Sequence, residues 1–382
     1  MSNENGKPDD ATSVDSSRRR LLQVVGTGAA MSAVPAVFAA PSSGAGKKMD
    51  RPLRWGIVGT GSIANHIARM IQLAERADLA AVSSRKMETA REFAAKHAIP
   101  EAFDSWTTML KSKAVDAVYV ATPTSVREEI CLFAAANGKH VLGEKPFANL
   151  PSLRRITAAC RQNGVGFMDG THFVHHPRTS QIKSTMREKI GWPWSVDSAF
   201  QFSLTDADNI RMNPELEPYG AIGDAAWYNM RAAVECTAPG VKLVGADAYL
   251  RRDKKNGAVI GGGGVIAFDD GSTSTWTCGF DAGAVSMDLR ISGTSGQFSL
   301  RDFVINEGKG PAEYEYRQGG FGSGTVERIG VPAEKPAAAL MFESFAAMVG
   351  DPGRFEASVT ASERTQEWLD AIWAAGLRNE RG

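Results

Sequence analysis

The chain has 382 residues, 43% hydrophobic and 23% charged, a composition that fits a globular protein of two domains and implies neither disorder nor a membrane protein. Forty-three basic residues balance forty-three acidic ones. Beyond the N-terminal arginines no long basic run offers a nucleic-acid surface, so a small neutral or weakly charged ligand is expected instead. The four cysteines, Cys131, Cys160, Cys236 and Cys278, form no C-x-x-C pair and lie at no zinc-finger spacing from histidine, so buried free thiols are expected and a metal site is not.

Residues 1–16 are polar. Ser17-Arg18-Arg19-Arg20-Leu21-Leu22 then leads into an apolar run that ends in small residues at Ala39-Ala40. This order resembles a twin-arginine export signal, with a disordered basic tail as the plainer reading. The run is interrupted by Gly, Ser and Pro and is too weak for a stable spanning helix, so no membrane anchor is expected in the mature form. The expected division is a signal over 1–40, cleaved near Ala39-Ala40, and a flexible arm over 41–52. Recognition by the export machinery and a periplasmic or otherwise exported location follow from that resemblance.

A short apolar strand is predicted at 53–58, followed by Gly59-Thr60-Gly61-Ser62-Ile63-Ala64 and an amphipathic run to residue 74. Between a strand and a helix this G-x-G-x-x-A pattern is a dinucleotide signature. Gly59 permits the tight turn, Gly61 lets the backbone approach a pyrophosphate, Ala64 allows close packing, and the helix N-terminus offers free N–H donors. The next predicted strand, 78–83, ends in Ser84-Arg85-Lys86, where an NAD enzyme would carry an acid for the ribose hydroxyls. A hydroxyl, a guanidinium and an ammonium suit a 2′-phosphate, so NADP(H) is expected over NAD(H).

A strand at 115–121 leads into Thr122-Pro123, then a helix over 126–137, a strand over 139–143 and Glu144-Lys145-Pro146. The alternation of strand and helix marks a parallel doubly wound sheet, and Lys145 at a strand end points to the ligand crevice. Thr122, Pro123 and Glu144 are expected beside the cofactor.

Taken in this order, Gly59-Thr60-Gly61, Thr122-Pro123 and Glu144-Lys145-Pro146 resemble the Gfo/Idh/MocA family, which includes glucose–fructose oxidoreductase, inositol dehydrogenases and dihydrodiol dehydrogenases. The likeness runs from about residue 53 nearly to the C-terminus. It implies an α/β protein with a Rossmann domain over 53–171. Residues 172–382 would form an α+β domain with a large, mostly antiparallel, open-faced sheet. The family uses that open face for subunit contact, which implies a homodimer or homotetramer. Asp224 and Tyr228 in Gly223-Asp224-Ala225-Ala226-Trp227-Tyr228 resemble the family's active-site helix, and their i,i+4 spacing places both on one face. A tyrosine there is similar to the glucose–fructose oxidoreductase and dihydrodiol dehydrogenase branches. Arg127 departs from the commoner histidine of the family.

Further along, strands are expected at 194–204, 241–251, 257–269, 272–279, 286–293 and 296–303, with Asp269-Asp270-Gly271 as a hairpin turn. Two closing helices are expected at 337–349 and 359–376. The Gly261–Gly264 run reads as strand punctuation, because no helix start follows it.

Hydride transfer at an alcohol carbon needs a proton acceptor, and Tyr228 with Lys145 is the expected pair. A nearby ammonium is expected to favour the phenolate, while Asp224 binds a neighbouring substrate hydroxyl. Arg211, in the 205–219 loop, and His176, from the run His172, His175, His176, are expected in the substrate pocket. The resulting expectation is an exported NADP(H)-dependent oxidoreductase of a sugar or polyol. An exported enzyme has no soluble nicotinamide pool, so the favoured version holds NADP tightly, oxidises an aldose to a lactone and recycles the cofactor with a second carbonyl. The alternatives are a conventional NADP-exchanging dehydrogenase, an NAD-dependent glycosidase and a noncatalytic sugar-binding protein.

Overall fold

In the computed structural model, which describes residues 51–304 and 311–381, the first half alternates strand and helix as its sequence predicts. The order is β1 (Leu53–Val58), α1 (Ser62–Leu73), β2 (Ala77–Ser83), α2 (Met87–Lys96), β3 (Glu101–Phe103), α3 (Trp106–Lys111), β4 (Ala117–Val120), α4 (Thr124–Ala136), β5 (His140–Gly143), α5 (Leu150–Gln162) and β6 (Phe167–Asp169). The expected signal and most of the expected arm lie outside the described residues.

The six strands form one parallel sheet in the order β3-β2-β1-β4-β5-β6. Every residue of β4 is buried, as a strand covered by helices on both faces requires. Strand order runs outward from β1 in one direction and from β4 in the other. The loops after β1 and β4 therefore diverge and leave a crevice between them at the C-terminal sheet edge.

After a 3₁₀ turn at His172–His175 and α6 (Pro177–Ile190), the second sheet begins with β7 (Pro193–Ser203). A π-helical turn, Ile222–Ala226, then runs straight into α7 (Trp227–Cys236). The remaining strands are β8 (Leu243–Arg252), β9 (Val259–Phe268), β10 (Thr273–Gly279), β11 (Asp281–Gly293), β12 (Gln297–Leu300), β13 (Ala312–Gln318) and β14 (Thr325–Val331). They assemble as β14-β13-β12-β11-β7-β10-β9-β8, antiparallel except where β7 lies parallel to β10. The two outermost strands on one side, β13 and β14, were not anticipated. The Gly261–Gly264 run is interior to β9, paired with both β8 and β10, as strand punctuation requires.

Two helices close the chain, α8 (Ala337–Met348) and α9 (Glu356–Asn379). The first packs on the parallel sheet. Trp55 of β1, fully buried, meets Phe342 and Phe345 edge-on at centroid distances of 4.8 and 5.0 Å. Each such pair contributes about 0.5–1.5 kcal/mol beyond its area burial. The second lies against the other sheet, with Trp368 on Phe268 of β9 at 4.7 Å. It also reaches the loop after β5, where Phe147 N–H donates to Gln366 Oε1 at 3.0 Å. All four cysteines are free and buried. Among the described residues no helix is long and apolar enough to cross a membrane, and no group of three or more His, Cys, Asp or Glu could hold a metal ion.

Candidate active site

The crevice edge is built first by glycine. Gly59 has φ +105°, and a Cβ there would lie 3.1 Å from the Ala121 carbonyl across the crevice, so no side chain fits. Gly61 caps α1 with open space around its Cβ position, no side chain satisfies the helix N-terminus, and no acid occupies its first turn. Ser62 and Ile63 are exposed on that turn, and Ala64 is fully buried against the sheet. The free N–H groups and the helix dipole together suit a phosphate. At the end of β2, Ser84 Oγ lies 3.4 Å from Thr60 Oγ1, and Arg85 and Lys86 are exposed beside it. The Thr122 hydroxyl after β4 is buried with no protein partner. An N-terminus without a cap, an orphaned hydroxyl and two exposed cations where an acid would repel a 2′-phosphate together fit NADP(H).

Pro123 immediately precedes α4, and Glu217 from the 205–219 loop caps the helix, accepting from Thr124 N at 3.1 Å and from Thr124 Oγ1 at 2.6 Å. Arg127, buried, donates to Pro146 O, Thr122 O and Thr124 Oγ1. Arg127 thus ties the loop after β4 to the loop after β5.

Lys145, at the end of β5, is almost fully buried. Its ammonium donates to Asp224 O at 2.7 Å and Asp224 Oδ1 at 2.8 Å, while Arg211 Nε donates to Asp224 Oδ2 at 2.8 Å. Burial alone would raise the Asp224 carboxyl, but the charges and hydrogen bonds of Lys145 and Arg211 outweigh it and hold the acid well below the usual carboxylate range. The same carboxylate raises the Arg211 guanidinium further. Glu144 lines the same cleft and accepts from the Tyr119 hydroxyl and from Lys145 N.

Tyr228 stands on the first turn of α7, one π-helical turn after Asp224, and both line a cleft of about 650 Å³. This is an irregular turn rather than the regular helix expected, a geometry common at functional sites. The Lys145 ammonium lies over the Tyr228 ring, 4.9 Å from its centroid. The phenol does not become acidic as expected: burial, then the Glu144 and Asp224 carboxylates, push it well above 10. The reason is placement. Lys145 makes its hydrogen bonds to Asp224 and meets the phenol through the ring face, so its charge cannot bind the phenolate oxygen directly.

Asp224, Tyr228, Lys145, Arg211 and Glu144 are therefore brought together with Gly61, Ser62, Ile63 and Thr122 around one cleft. His176 is not. Its Nδ1 accepts from Arg178 N at 3.0 Å as the cap of α6, and the residue is 3% exposed. Because Pro177 opens that helix, His176 is committed to the cap, and His172 faces the cleft instead. Glu217 also lines the cleft, and its only sequence signal was membership of the 205–219 loop. A larger hollow, about 1260 Å³, lies on the open face of the second sheet and contains none of the motif residues.

This combination of switch-point crevice, free helix N-terminus and buried Lys–Asp–Tyr constellation defines a dinucleotide-binding oxidoreductase architecture. Residues 53–171 match the Gfo/Idh/MocA model, described as an oxidoreductase family with an NAD-binding Rossmann fold. The chain is 28% identical over 330 residues to a scyllo-inositol 2-dehydrogenase (NADP(+)) of Bacillus subtilis, covering 82% of this chain and 95% of that one. It is also 28% identical to a D-xylose 1-dehydrogenase (NADP(+)) of Haloferax volcanii, covering 70% and 82% respectively. A 3-ketoreductase from Actinomadura kijaniata, solved in complex with NADP and TDP-benzene, superposes with a TM-score of 0.77 at 25% identity, covering 85% of this chain and 98% of that one.

Proposed function

We propose that the protein is an NADP(H)-dependent oxidoreductase that acts on a hydroxyl-bearing carbon of a small sugar or polyol, or on the corresponding carbonyl. The observation that carries this reading is the Lys145–Asp224–Arg211 clamp beside Tyr228, set at the C-terminal edge of a dinucleotide-binding sheet. Arg85 and Lys86 would hold the 2′-phosphate, the α1 N-terminus the pyrophosphate, and Thr122 with Glu144 the nicotinamide end. Bound nicotinamide supplies the hydride donor or acceptor.

Tyr228 exchanges the proton of the reacting hydroxyl. Lys145 holds a positive charge where negative charge develops and, with Arg211, fixes Asp224 so that its remaining lone pairs meet a second substrate hydroxyl. Two hydrogen-bonding stations suit a polyol better than a simple alcohol. The names of the relatives, inositol and xylose dehydrogenases using NADP(+), support the same substrate class.

The finer reading is aldose oxidation to a lactone, with the cofactor retained and recycled by a second carbonyl substrate. Its support is the export-like N-terminus, since an exported enzyme would have no nicotinamide pool to exchange with. The exposed Arg85 and Lys86 favour a second reading, ordinary exchange of NADP(H). The test is absorbance of protein purified from the periplasmic fraction with no nucleotide added. A band near ~340 nm that rises with an aldose and falls with a carbonyl acceptor supports retained cofactor. Protein that arrives empty and turns over only with added NADP sinks retention, and protein missing from that fraction sinks export.

A further inference from the structure

His172 has no role in the scheme so far, yet it shares the cleft with Tyr228 and its imidazole reaches the phenol oxygen. Its Nε2 lies 3.5 Å from the Tyr228 hydroxyl, with ring centroids 5.8 Å apart and the rings tilted by 52°. Phe200 and Phe173 flank the same ring at centroid distances of 5.5 and 6.3 Å. The 3₁₀ turn at His172–His175, anchored by the cap that His176 makes on α6, fixes the imidazole there.

Resting on the oxidoreductase reading above, we infer that His172 is the positioning residue of Tyr228, its neutral imidazole donating Nε2–H to the phenol oxygen. This bond leaves the Tyr228 proton free to point at the substrate. When the proton passes to the substrate oxygen during reduction, the O–H bond of Tyr228 breaks and the electron pair stays on the phenolate, where His172 donates to it. Oxidation runs the same transfer backwards, with the substrate proton returning to the phenolate oxygen. The site needs such a donor. Lys145 meets the ring face, and the Glu144 and Asp224 carboxylates, which oppose a negative charge on Tyr228, outweigh the Arg211 guanidinium, which favours it. Burial, followed by the charges of His66 and Lys145, pushes the imidazole down to about 3, so it stays neutral at working pH and remains a donor rather than an acid. The present separation is long for a hydrogen bond, and such contacts tighten when substrate fills the site.

The first test uses the protein without nucleotide, labelled with ¹⁵N-histidine. The chain has six histidines, so the imidazole spectrum is simple. His140 and His176 accept backbone N–H groups at Nδ1 and so are also protonated at Nε2. We expect the His172 imidazole to share that tautomer and its signal alone to shift in Tyr228→Phe. The second compares His172→Phe, which keeps the ring bulk, with His172→Gln, which keeps an N–H donor. His172→Phe lowers kcat by roughly ten- to a hundredfold, the loss expected for a hydrogen bond to a charged group. His172→Gln recovers most of it, with NADP affinity unchanged in both. A merely structural histidine predicts the reverse order, because phenylalanine preserves packing better. An imidazole spectrum indifferent to Tyr228→Phe overturns the inference, as does His172→Gln at or below His172→Phe. If neither variant folds, the Tyr228→Phe spectrum decides. Wild-type protein that binds no NADP and turns over no sugar defeats the oxidoreductase reading instead, and the spectrum still reports whether the His172–Tyr228 bond exists.

Discussion

Asp224 holds two cations with one carboxylate, and that arrangement makes its removal costly. Asp224→Asn keeps the shape but deletes the charge, leaving Lys145 and Arg211 facing each other without a counter-ion. We expect kcat/KM to fall by about a hundredfold or more, with NADP affinity changed far less, in steady-state kinetics paired with nucleotide titration. Activity within threefold of wild type would show that the clamp is scaffolding only. At this scale the sequence was informative where chemistry sits in a motif: Lys145, Asp224 and Tyr228 line one cleft, and Gly59 adopts the positive φ of its tight turn. It was uninformative where orientation depends on a short irregular turn. Three histidines within five residues look equivalent on paper, and only the 3₁₀ turn with the Pro177 helix start separates His172 in the cleft from His176 in a cap. The acidity of Tyr228 was equally hidden, because which side of a ring an ammonium approaches is a property of packing.

The segment carrying those histidines gives the protein a pH signature. Burial first, and neighbouring cations after it, push His172 down to about 3, and push His175 and His176 down to about 4; burial does the same to His140 at the start of β5. Each folded value lies below the ordinary 6.5, so between these values the unfolded chain binds more protons. Stability from these groups is complete above about pH 6.5 and drains away as pH falls towards 4. Thermal unfolding should therefore show Tm declining steadily from pH 7 to pH 5, before most carboxylates titrate. A flat Tm over that interval would contradict the buried neutral histidines. Strand and helix elements were legible where local pattern suffices, as in β1, β4 and α4. The strands β13 and β14 were missed although Ala312, Tyr314 and Tyr316 alternate along β13. Their polar outward residues resemble a loop until β13 pairs with β12 and β14 with β13, partners that periodicity within one strand cannot supply.

Across the whole molecule, the face of the eight-stranded sheet not covered by α7 and α9 stays open, with Tyr249 66% exposed and arginines 290, 317 and 328 around the large hollow. The proposed occupant is a second copy of this chain, as the resemblance to the family implies. Light scattering should then give a mass of at least two chains, and Tyr249→Asp should lower it while leaving secondary structure intact. A monomeric wild type would refute this.

The packing of α8 on Trp55 has a consequence for synthesis. Translation delivers β1 among the first elements of the folded body and Phe342 and Phe345 among the last, nearly three hundred residues later. Until then the nucleotide-binding sheet lacks one wall, and Trp55 has no cover from that side. NADP can meet a finished crevice only after nearly the whole chain has left the ribosome. A complete crevice is thus a late product of synthesis, finished by the far end of the same polypeptide that begins it.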